Sequence, residues 1–469
     1  MNLTKDILAK IDELRLKYPN ATSVGFGKKI KDGEDTGEFA IRVAVKEKKP
    51  LSELKESEVI ESEVTVDNSS IKTDIVEGEK FITTADCTGN LSYGGCGWFD
   101  AQPAPNNQAN RQFQQSVRGG LSMTSSNMQF TTGTMGGVVT TESGCIVGLT
   151  NNHVSIQDAF FTSNRSTTGT IQNDYNPVNK VYQGQENYPN SPNFTSVTQV
   201  GVSLRYVPIH AASTGLVNQV DGAIFSISQD RFDANLAWQQ IGLESLNAYA
   251  PQFATTNEID NLLATNPRVY SSGRTTGPKG LMPDCPMVII ETGVAAQISY
   301  NMQIPPNTPP GPGGVNWAPY EVLCNFNDCI KYAKPGQDQP NFQGILAPPN
   351  FNGCYNPVYS GDSGSMLLAD INGTIKIIGL VFAGQVGCYT QSGAPVFWSG
   401  LACRIDQVAN QLGIEAYQLT GQLVDPETIE YKTVDGQSDQ KTIVCLDANN
   451  KAHTYWQSGF TNSLEDNCN

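Results

Sequence analysis

Gly361-Asp362-Ser363-Gly364 sets a serine between glycines in what reads as a tight turn, just ahead of the apolar run Met366-Leu367-Leu368-Ala369. At average residue usage such a tetrapeptide arises by chance in roughly one chain in a hundred of this length. Its meaning therefore depends on what the rest of the chain supplies. Upstream lie Leu149-Thr150-Asn151-Asn152-His153-Val154 and Val220-Asp221-Gly222-Ala223-Ile224. A histidine, an aspartate and a serine thus follow one another along the chain, each in an apolar or turn-like context. This is the residue set of nucleophilic acyl transfer.

The chemistry explains why these residue types are needed together. A serine hydroxyl is a poor nucleophile at neutral pH and needs a base beside it, and a neutral imidazole titrates close enough to pH 7 to serve. His153 is the expected base for Ser363, and the carboxylate of Asp221 is expected to fix the imidazole tautomer. Asp230 and Asp174 are the rival carboxylates. The apolar Ala223-Ile224-Phe225 that follows Asp221 favours it, because it reads as a buried strand. His210 follows Val207-Pro208-Ile209 and reads as a loop or core residue, and His453 lies in the C-terminal tail. The turn through Gly361 would let the backbone N–H groups of Gly361 and Ser363 point at one spot, where an oxyanion would form.

Composition narrows the class. The chain has 469 residues, 39% of them hydrophobic and 16% charged, so it can bury ample core in two to four domains. Its 44 glycines and 26 prolines favour a turn-rich β protein. The net charge of −16 speaks against nucleic acid as a partner, since phosphate binding needs a basic surface. Residues 1–19 carry Lys5, Asp6, Lys10, Asp12, Glu13, Arg15 and Lys17 and do not read as a signal peptide. No stretch approaches the roughly 20 apolar residues needed to span a bilayer. The expected location is the cytoplasm, with no membrane partner, where most of the 11 cysteines should be free thiols. Cys324 and Cys329 have no second pair or histidine nearby, so neither a metal site nor a cofactor is expected.

Along the chain, Leu3, Ile7, Leu8, Ile11 and Leu14 recur at helical spacing up to Pro19. Strands are expected at Ser23–Lys29, Phe39–Val45 and, as one further strand, Val64–Ile75. Gly25-Phe26-Gly27-Lys28 is no phosphate loop, because a turn and a strand follow it where a helix should begin. Residues 84–112 are rich in Gly, Asn, Gln and Pro and read as a connector. Two hairpins are expected, Gly136–Thr140 with Cys145–Asn151, and Met366–Ala369 with Thr374–Phe382. Ile405, Val408, Ala409 and Leu412 suggest a closing helix. Thr162–Ser196 and the proline-rich Ile304–Gly314 read as insertions, and residues 413–469 as a polar tail whose best strand is Thr442–Leu446.

The His153 and Asp221 segments, Gly361-Asp362-Ser363-Gly364 and Ser272-Gly273-Arg274-Thr275-Thr276-Gly277 together resemble the trypsin-like (chymotrypsin-fold) serine proteases over residues 115–412. The last segment is similar to one in the bacterial alpha-lytic and streptogrisin branch, where it opens the second barrel. The resemblance implies a mainly β chain with two six-stranded antiparallel barrels, here residues 115–265 and 266–412, and an active site in the cleft between them. Before them would stand a small α/β domain (1–83), a candidate for regulation and similar to one in some bacterial intracellular trypsin-like proteins, with a connector (84–114). A C-terminal extension (413–469) would follow. In that branch the arginine of Gly273-Arg274-Thr275-Thr276-Gly277 pairs with the aspartate beside the nucleophile, which implies a buried ion pair between Arg274 and Asp362. The resemblance also puts the substrate-accepting strand edge at Val381-Phe382-Ala383-Gly384 and the pocket floor near Pro357 and Val358. Phe382 stands where the family usually has serine. Val154 follows the histidine where trypsins have cysteine. Pro357 and Val358 lie where trypsin has an aspartate, so a preference for lysine or arginine is not implied. Cys354 and Cys388 fall where the family often places a disulfide, and a cytoplasmic location argues against that bond.

The activity implied is that of a serine endopeptidase cutting a protein or peptide through an acyl-enzyme. Its specificity is expected to be narrow, or its activity controlled by a regulatory partner or by cleavage. The alternatives are a protease-fold scaffold that binds without cutting, and an esterase-type acyl hydrolase.

Overall fold

The computed structural model describes residues 2–31, 34–83, 86–87, 108–125, 131–155, 180–183, 198–207, 209–246, 251–281, 286–302, 320–335, 357–359, 361–389, 395–423, 430–433, 441–446 and 452–456. Within them the chain is mainly β, with two large sheets and a small three-stranded one.

The N-terminal region opens with helix α1 (Lys5–Lys17). Thr4 caps it, its hydroxyl accepting the Ile7 N–H at 3.3 Å. Ile7, Ile11 and Leu14 are buried on one face, and Tyr18, the residue before Pro19, leaves helical geometry. The strands β1 (Ala21–Lys31), β2 (Glu34–Val45), β3 (Glu63–Val66) and β4 (Ser69–Glu77) follow. The single strand expected over Val64–Ile75 is in fact the hairpin β3–β4. Its two-residue turn is Asp67-Asn68, both with positive φ (45° and 60°), and Asp and Asn accept this conformation more readily than other non-glycine residues. β1 pairs antiparallel with a strand of the second barrel, from Ser23↔Ala296 to Gly27↔Glu291. A buried ionic contact crosses the same seam. Glu291 takes Arg42 Nη1 at 3.2 Å and Lys331 Nζ at 3.1 Å. Two short strands come next, β5 (Phe81–Thr83) and β6 (Asp86–Cys87).

The first barrel comprises β7 (Ser122–Ser125), β8 (Thr131–Thr134), β9 (Gly137–Thr141), β10 (Cys145–Thr150), β11 (Lys180–Gln183), β12 (Gln199–Tyr206) and β13 (Ala223–Ser226). Their order is β9-β10-β13-β12-β11-β7-β8, every neighbour antiparallel. β8 runs into β9 through Met135-Gly136, whose N–H groups bond to Leu121 and Leu149. The two therefore act as one bent strand and close a six-stranded ring. Met123, Val138, Ile146, Val181 and Phe225 fill its interior. β11 lies inside the stretch read as an insertion; Val181 is buried and belongs to the barrel.

After β14 (Gln252–Phe253), the second barrel uses β15 (Arg268–Gly273), β17 (Met287–Met302), β18 (Tyr320–Ala333), β19 (Met366–Ile371), β20 (Thr374–Tyr389) and β21 (Pro395–Arg404), with β16 (Gly277–Lys279) as a hairpin on β15. The ring runs β15-β19-β20-β21-β18-β17 and returns to β15, again antiparallel throughout. The expected helix forms at Ile405–Leu412. The chain then goes back to the first barrel, where β22 (Ile414–Ala416) pairs with β9 and β23 (Gln422–Leu423) with β10. β24 (Glu430–Thr433), β25 (Lys441–Leu446) and β26 (Ala452–Trp456) form the small sheet. Among the described residues no helix is long and apolar enough to cross a membrane. Ile304–Gly314, Cys354 and Asp174 lie outside the described residues.

Candidate active site

The pairing of β10 with β13 brings the first two candidate residues together. Thr150 lies opposite Ala223, so the end of β10 meets the beginning of β13. His153 sits on the helical turn Asn152–Ser155 that follows β10, and Asp221 just precedes β13. Nδ1 of His153 is hydrogen-bonded to Oδ2 of Asp221. The His153 N–H donates to Oδ1 at 3.2 Å. Asn151 Nδ2 donates to the Asp221 carbonyl at 2.6 Å, and the Asp221 N–H to Cys403 Sγ at 3.3 Å. Asp221 has no exposed surface, and His153 retains 4%.

Sequence reasoning missed one partner. The Tyr300 hydroxyl, on β17 of the other barrel, donates to Oδ2 of Asp221 at 3.0 Å. Burial, and then the nearby Asp221 charge, push the Tyr300 hydroxyl well above its ordinary pKa, so it remains a donor. The Tyr300 ring meets His153 edge-on at 5.7 Å and stacks on Phe326, which in turn packs on Phe382. Phe382 has no polar side-chain atom to offer Asp221, and Tyr300 supplies the donor from a strand far away in sequence. No local motif marks it.

Ser363 is buried on the turn leading into β19. Gly361 and Gly364 have φ of 100° and 97°, values that suit glycine and not residues with a side chain. The Gly361 carbonyl accepts Thr134 Oγ1 at 2.7 Å, and the Ser363 carbonyl accepts the Thr134 N–H at 2.7 Å, so β8 of the first barrel clasps the turn. A methyl group placed on Gly133 would lie 2.4 Å from Val154 and 2.9 Å from the Ser363 carbonyl oxygen. The residue after His153 and the backbone of Ser363 therefore flank one point on β8.

Asp362 differs from expectation. Its carboxylate accepts the N–H of Thr275 at 2.9 Å, of Thr276 at 3.0 Å and of Tyr359 at 2.9 Å. Arg274 is buried, but its guanidinium donates to Ser122 Oγ at 3.1 Å and Thr275 Oγ1 at 3.3 Å. The expected Arg274–Asp362 ion pair is replaced by backbone donors: the loop after β15 turns its own amides toward the carboxylate. Burial raises the Asp362 pKa and the hydrogen bonds from Thr275, Thr276 and Tyr359 pull it back.

His153 Nε2, the nitrogen opposite the aspartate, has no hydrogen-bond partner. The Ser363 hydroxyl donates to the Phe382 carbonyl at 3.1 Å, so in this structure it does not bond the imidazole. The other expected residues fall as follows. Ala383 and Gly384 lie on β20 opposite Leu401 and Gly400 of β21, and Pro357 and Val358 are buried. Asp230 is exposed on a short turn and plays no part here. His210 is half-buried in a loop where burial lowers its pKa, and His453 lies on β26. Among the described residues no group of three or more His, Cys, Asp or Glu side chains is placed to hold a metal ion.

No protein-family model and no curated protein matches this chain. Among solved structures, a Nocardiopsis protease (NAPase) is similar at 14% identity with a TM-score of 0.32, over 65% of this chain and 100% of that one. At that identity and score no residue role is carried over from it.

Proposed function

We propose that this protein is a serine hydrolase of the endopeptidase kind, with Ser363 as nucleophile, His153 as general base and Asp221 as the group that orients it. The observation that carries this reading is the buried His153–Asp221 contact, which engages Nδ1 and leaves Nε2 without a partner. A carboxylate on Nδ1 makes Nε2 the nitrogen that can take a proton. In this reading the Ser363 hydroxyl exchanges the Phe382 carbonyl for Nε2 in the reacting complex, since contacts between nucleophile and base commonly tighten only when substrate is bound.

In the reaction Ser363 Oγ attacks the substrate carbonyl carbon while its proton passes to His153 Nε2. The N–H groups of Gly361 and Ser363 hold the resulting oxyanion, an effect of about 3 kcal/mol per donor. His153 returns the proton to the leaving amine, and water then releases the acyl group by the same route. Pro357, Val358 and the edge Phe382-Ala383-Gly384 would receive the substrate. A fluorophosphonate probe should label wild type at Ser363 and leave Ser363→Ala unlabelled; absence of label on active-site serine in correctly folded protein would refute the assignment.

The orientation of the Ser363 hydroxyl favours a second reading, a protease-fold scaffold that binds without cutting. That reading expects Ser363→Ala to behave as wild type in every assay, the probe included.

A further inference from the structure

Two glycines lie side by side on neighbouring strands of the second barrel. Gly384 of β20 is opposite Gly400 of β21, and Gly400 is opposite Tyr332 of β18. Residues directly opposite one another in a sheet present their side chains to the same face. Tyr332, Gly400 and Gly384 therefore make a row across three strands, with a side chain at one end only. The face they share is covered by the segment that leads into Ser363. A methyl group on Gly384 would lie 2.8 Å from Cγ1 of Val358, and the next residue, Tyr359, donates its N–H to the Asp362 carboxylate at 2.9 Å.

Glycines in such a row would leave a trough, and here the chain's own rings fill it. A methyl group on Gly400 would lie 2.3 Å from Cζ of Tyr332, and one on Gly384 would lie 2.5 Å from Cδ1 of Phe397. Carbon atoms in contact sit about 3.5–4.0 Å apart, so neither methyl fits. Phe397 lies on β21 opposite Val386 and meets the Tyr359 ring edge-on at 6.2 Å. Tyr332 and Phe397 have no exposed surface, and Val358 is buried with them. Burial, and then the Asp362 charge, push the Tyr332 hydroxyl well above its ordinary pKa, which marks that ring as a neighbour of the residue beside the nucleophile.

The residue that gives its carbonyl to Ser363 has to lie between the Phe382 carbonyl, which holds the Ser363 hydroxyl at 3.1 Å, and the segment from Val358 to Ser363. Its side chain would enter the space between Gly384 and Val358. That space admits no methyl group unless Phe397 and Val358 move, and both are packed into the main core. We infer that Phe397 and Val358 set the substrate class of this site: the residue before the cut is glycine, whose hydrogen needs no room there. The inference rests on the reading of Ser363 as nucleophile. Ser363 Oγ forms an ester with the glycine carbonyl carbon, the bond to the leaving group breaks, and the serine proton passes through His153 Nε2 to that group. Water then hydrolyses the glycyl ester and restores Ser363. A larger side chain has to displace the Phe397 ring before its carbonyl comes within reach, so it loses rate in proportion to its size.

β5 occupies the outer edge of β20, with Ile82 opposite Gly384, so the test uses single-residue substrates that need the acyl site and not that edge. N-acetyl p-nitrophenyl esters of glycine, alanine, leucine and phenylalanine are given to full-length wild type, Phe397→Leu, Phe397→Ala and Ser363→Ala, and fluorophosphonate labelling is read in parallel. In wild type, kcat/KM for the glycine ester should exceed that for alanine by about tenfold and those for leucine and phenylalanine by more. Both Phe397 variants should raise the ratio of leucine to glycine ester turnover, by about tenfold or more in Phe397→Ala. A general loosening of the fold would instead lower all four rates together. A wild type that prefers the leucine or phenylalanine ester overturns the inference and leaves the hydrolase reading standing. So does a Ser363 that takes the label while no ester is turned over faster than by Ser363→Ala. Absence of both label and Ser363-dependent hydrolysis overturns both readings. A glycine preference that neither Phe397 variant relaxes overturns the assignment to Phe397.

Discussion

Tyr300 and His153 share one oxygen: Oδ2 of Asp221 receives the Tyr300 hydroxyl at 3.0 Å and also holds Nδ1 of the imidazole. Tyr300 belongs to the second barrel and Asp221 to the first, so the aspartate is positioned by both. Tyr300→Phe keeps the ring against Phe326 and removes only the donor. Hydrogen bonds to charged groups contribute about 1.5–3 kcal/mol, so kcat/KM should fall roughly tenfold or more with little change in thermal stability. Equal losses in kcat and kcat/KM would mark Tyr300 as a positioning residue acting on the reaction and not on substrate affinity.

Gly273 packs against Asp362. A methyl group there would lie 2.2 Å from Oδ1 of the carboxylate. Gly273→Ala should therefore destabilise the protein by about 3 kcal/mol, the upper range for overpacking. It should also suppress probe labelling, because the Asp362 carboxylate anchors the turn that carries Ser363. In a double-mutant cycle with Asp362→Ala the two costs should be sub-additive, since removing the carboxylate relieves the clash. Additive losses in denaturant titration would show that Gly273 acts elsewhere.

Glu291 is the shared acceptor of Arg42 and Lys331, all three buried. Glu291→Ala takes the carboxylate from Lys331 and the nearer one from Arg42, which keeps Asp74 at 3.6 Å, and should cost about 3 kcal/mol. Because Arg42 lies on β2 and Lys331 on β18, the loss should loosen the seam between the N-terminal region and the second barrel. Hydrogen exchange is expected to rise in β1 before it rises in β20.

Asp328 gives a pH dependence with a definite sign. Burial outweighs its ion pair with Arg404 and pushes the carboxyl up to about 6. The folded chain holds this proton up to about pH 6, whereas an unfolded aspartate releases it near pH 4. This group therefore costs stability as pH rises from about 4 to about 6, by up to about 3 kcal/mol. Asp328→Asn removes the titration and suits the positive φ of 54° at this position. The loss of stability between pH 4 and pH 6 should shrink by that amount in urea titrations. An unchanged pH profile would assign the dependence to other groups.

The parts of this architecture legible in the sequence are those encoded locally. The hairpin β9–β10 follows from apolar strands flanking Glu142-Ser143-Gly144, and β19–β20 from Asp370-Ile371-Asn372-Gly373. The Ile405–Leu412 helix follows from its spacing of buried Ile405, Val408 and Leu412. The β3–β4 turn was obscured because Asp67-Asn68 contains no glycine. β11 was obscured because only four residues of barrel strand lie within a long polar stretch. Tyr300 was invisible for a different reason. Its contact with Asp221 spans 79 positions, and nothing in its own neighbourhood sets it apart from the other apolar residues of β17. The resemblance pointed to the Arg274 side chain, whereas the Asp362 carboxylate accepts the amides of the next two residues, Thr275 and Thr276.

The way the two ends of the chain are woven gives one more consequence. The leading strands enlarge the sheet of the second barrel, and β22 and β23, which come after that barrel, are sewn onto the first. Neither half is thus a contiguous stretch of polypeptide, and each takes an edge from sequence on the far side of the other. Splitting the chain midway should yield two pieces that are both incomplete, and heating the whole should melt the halves together in one cooperative step.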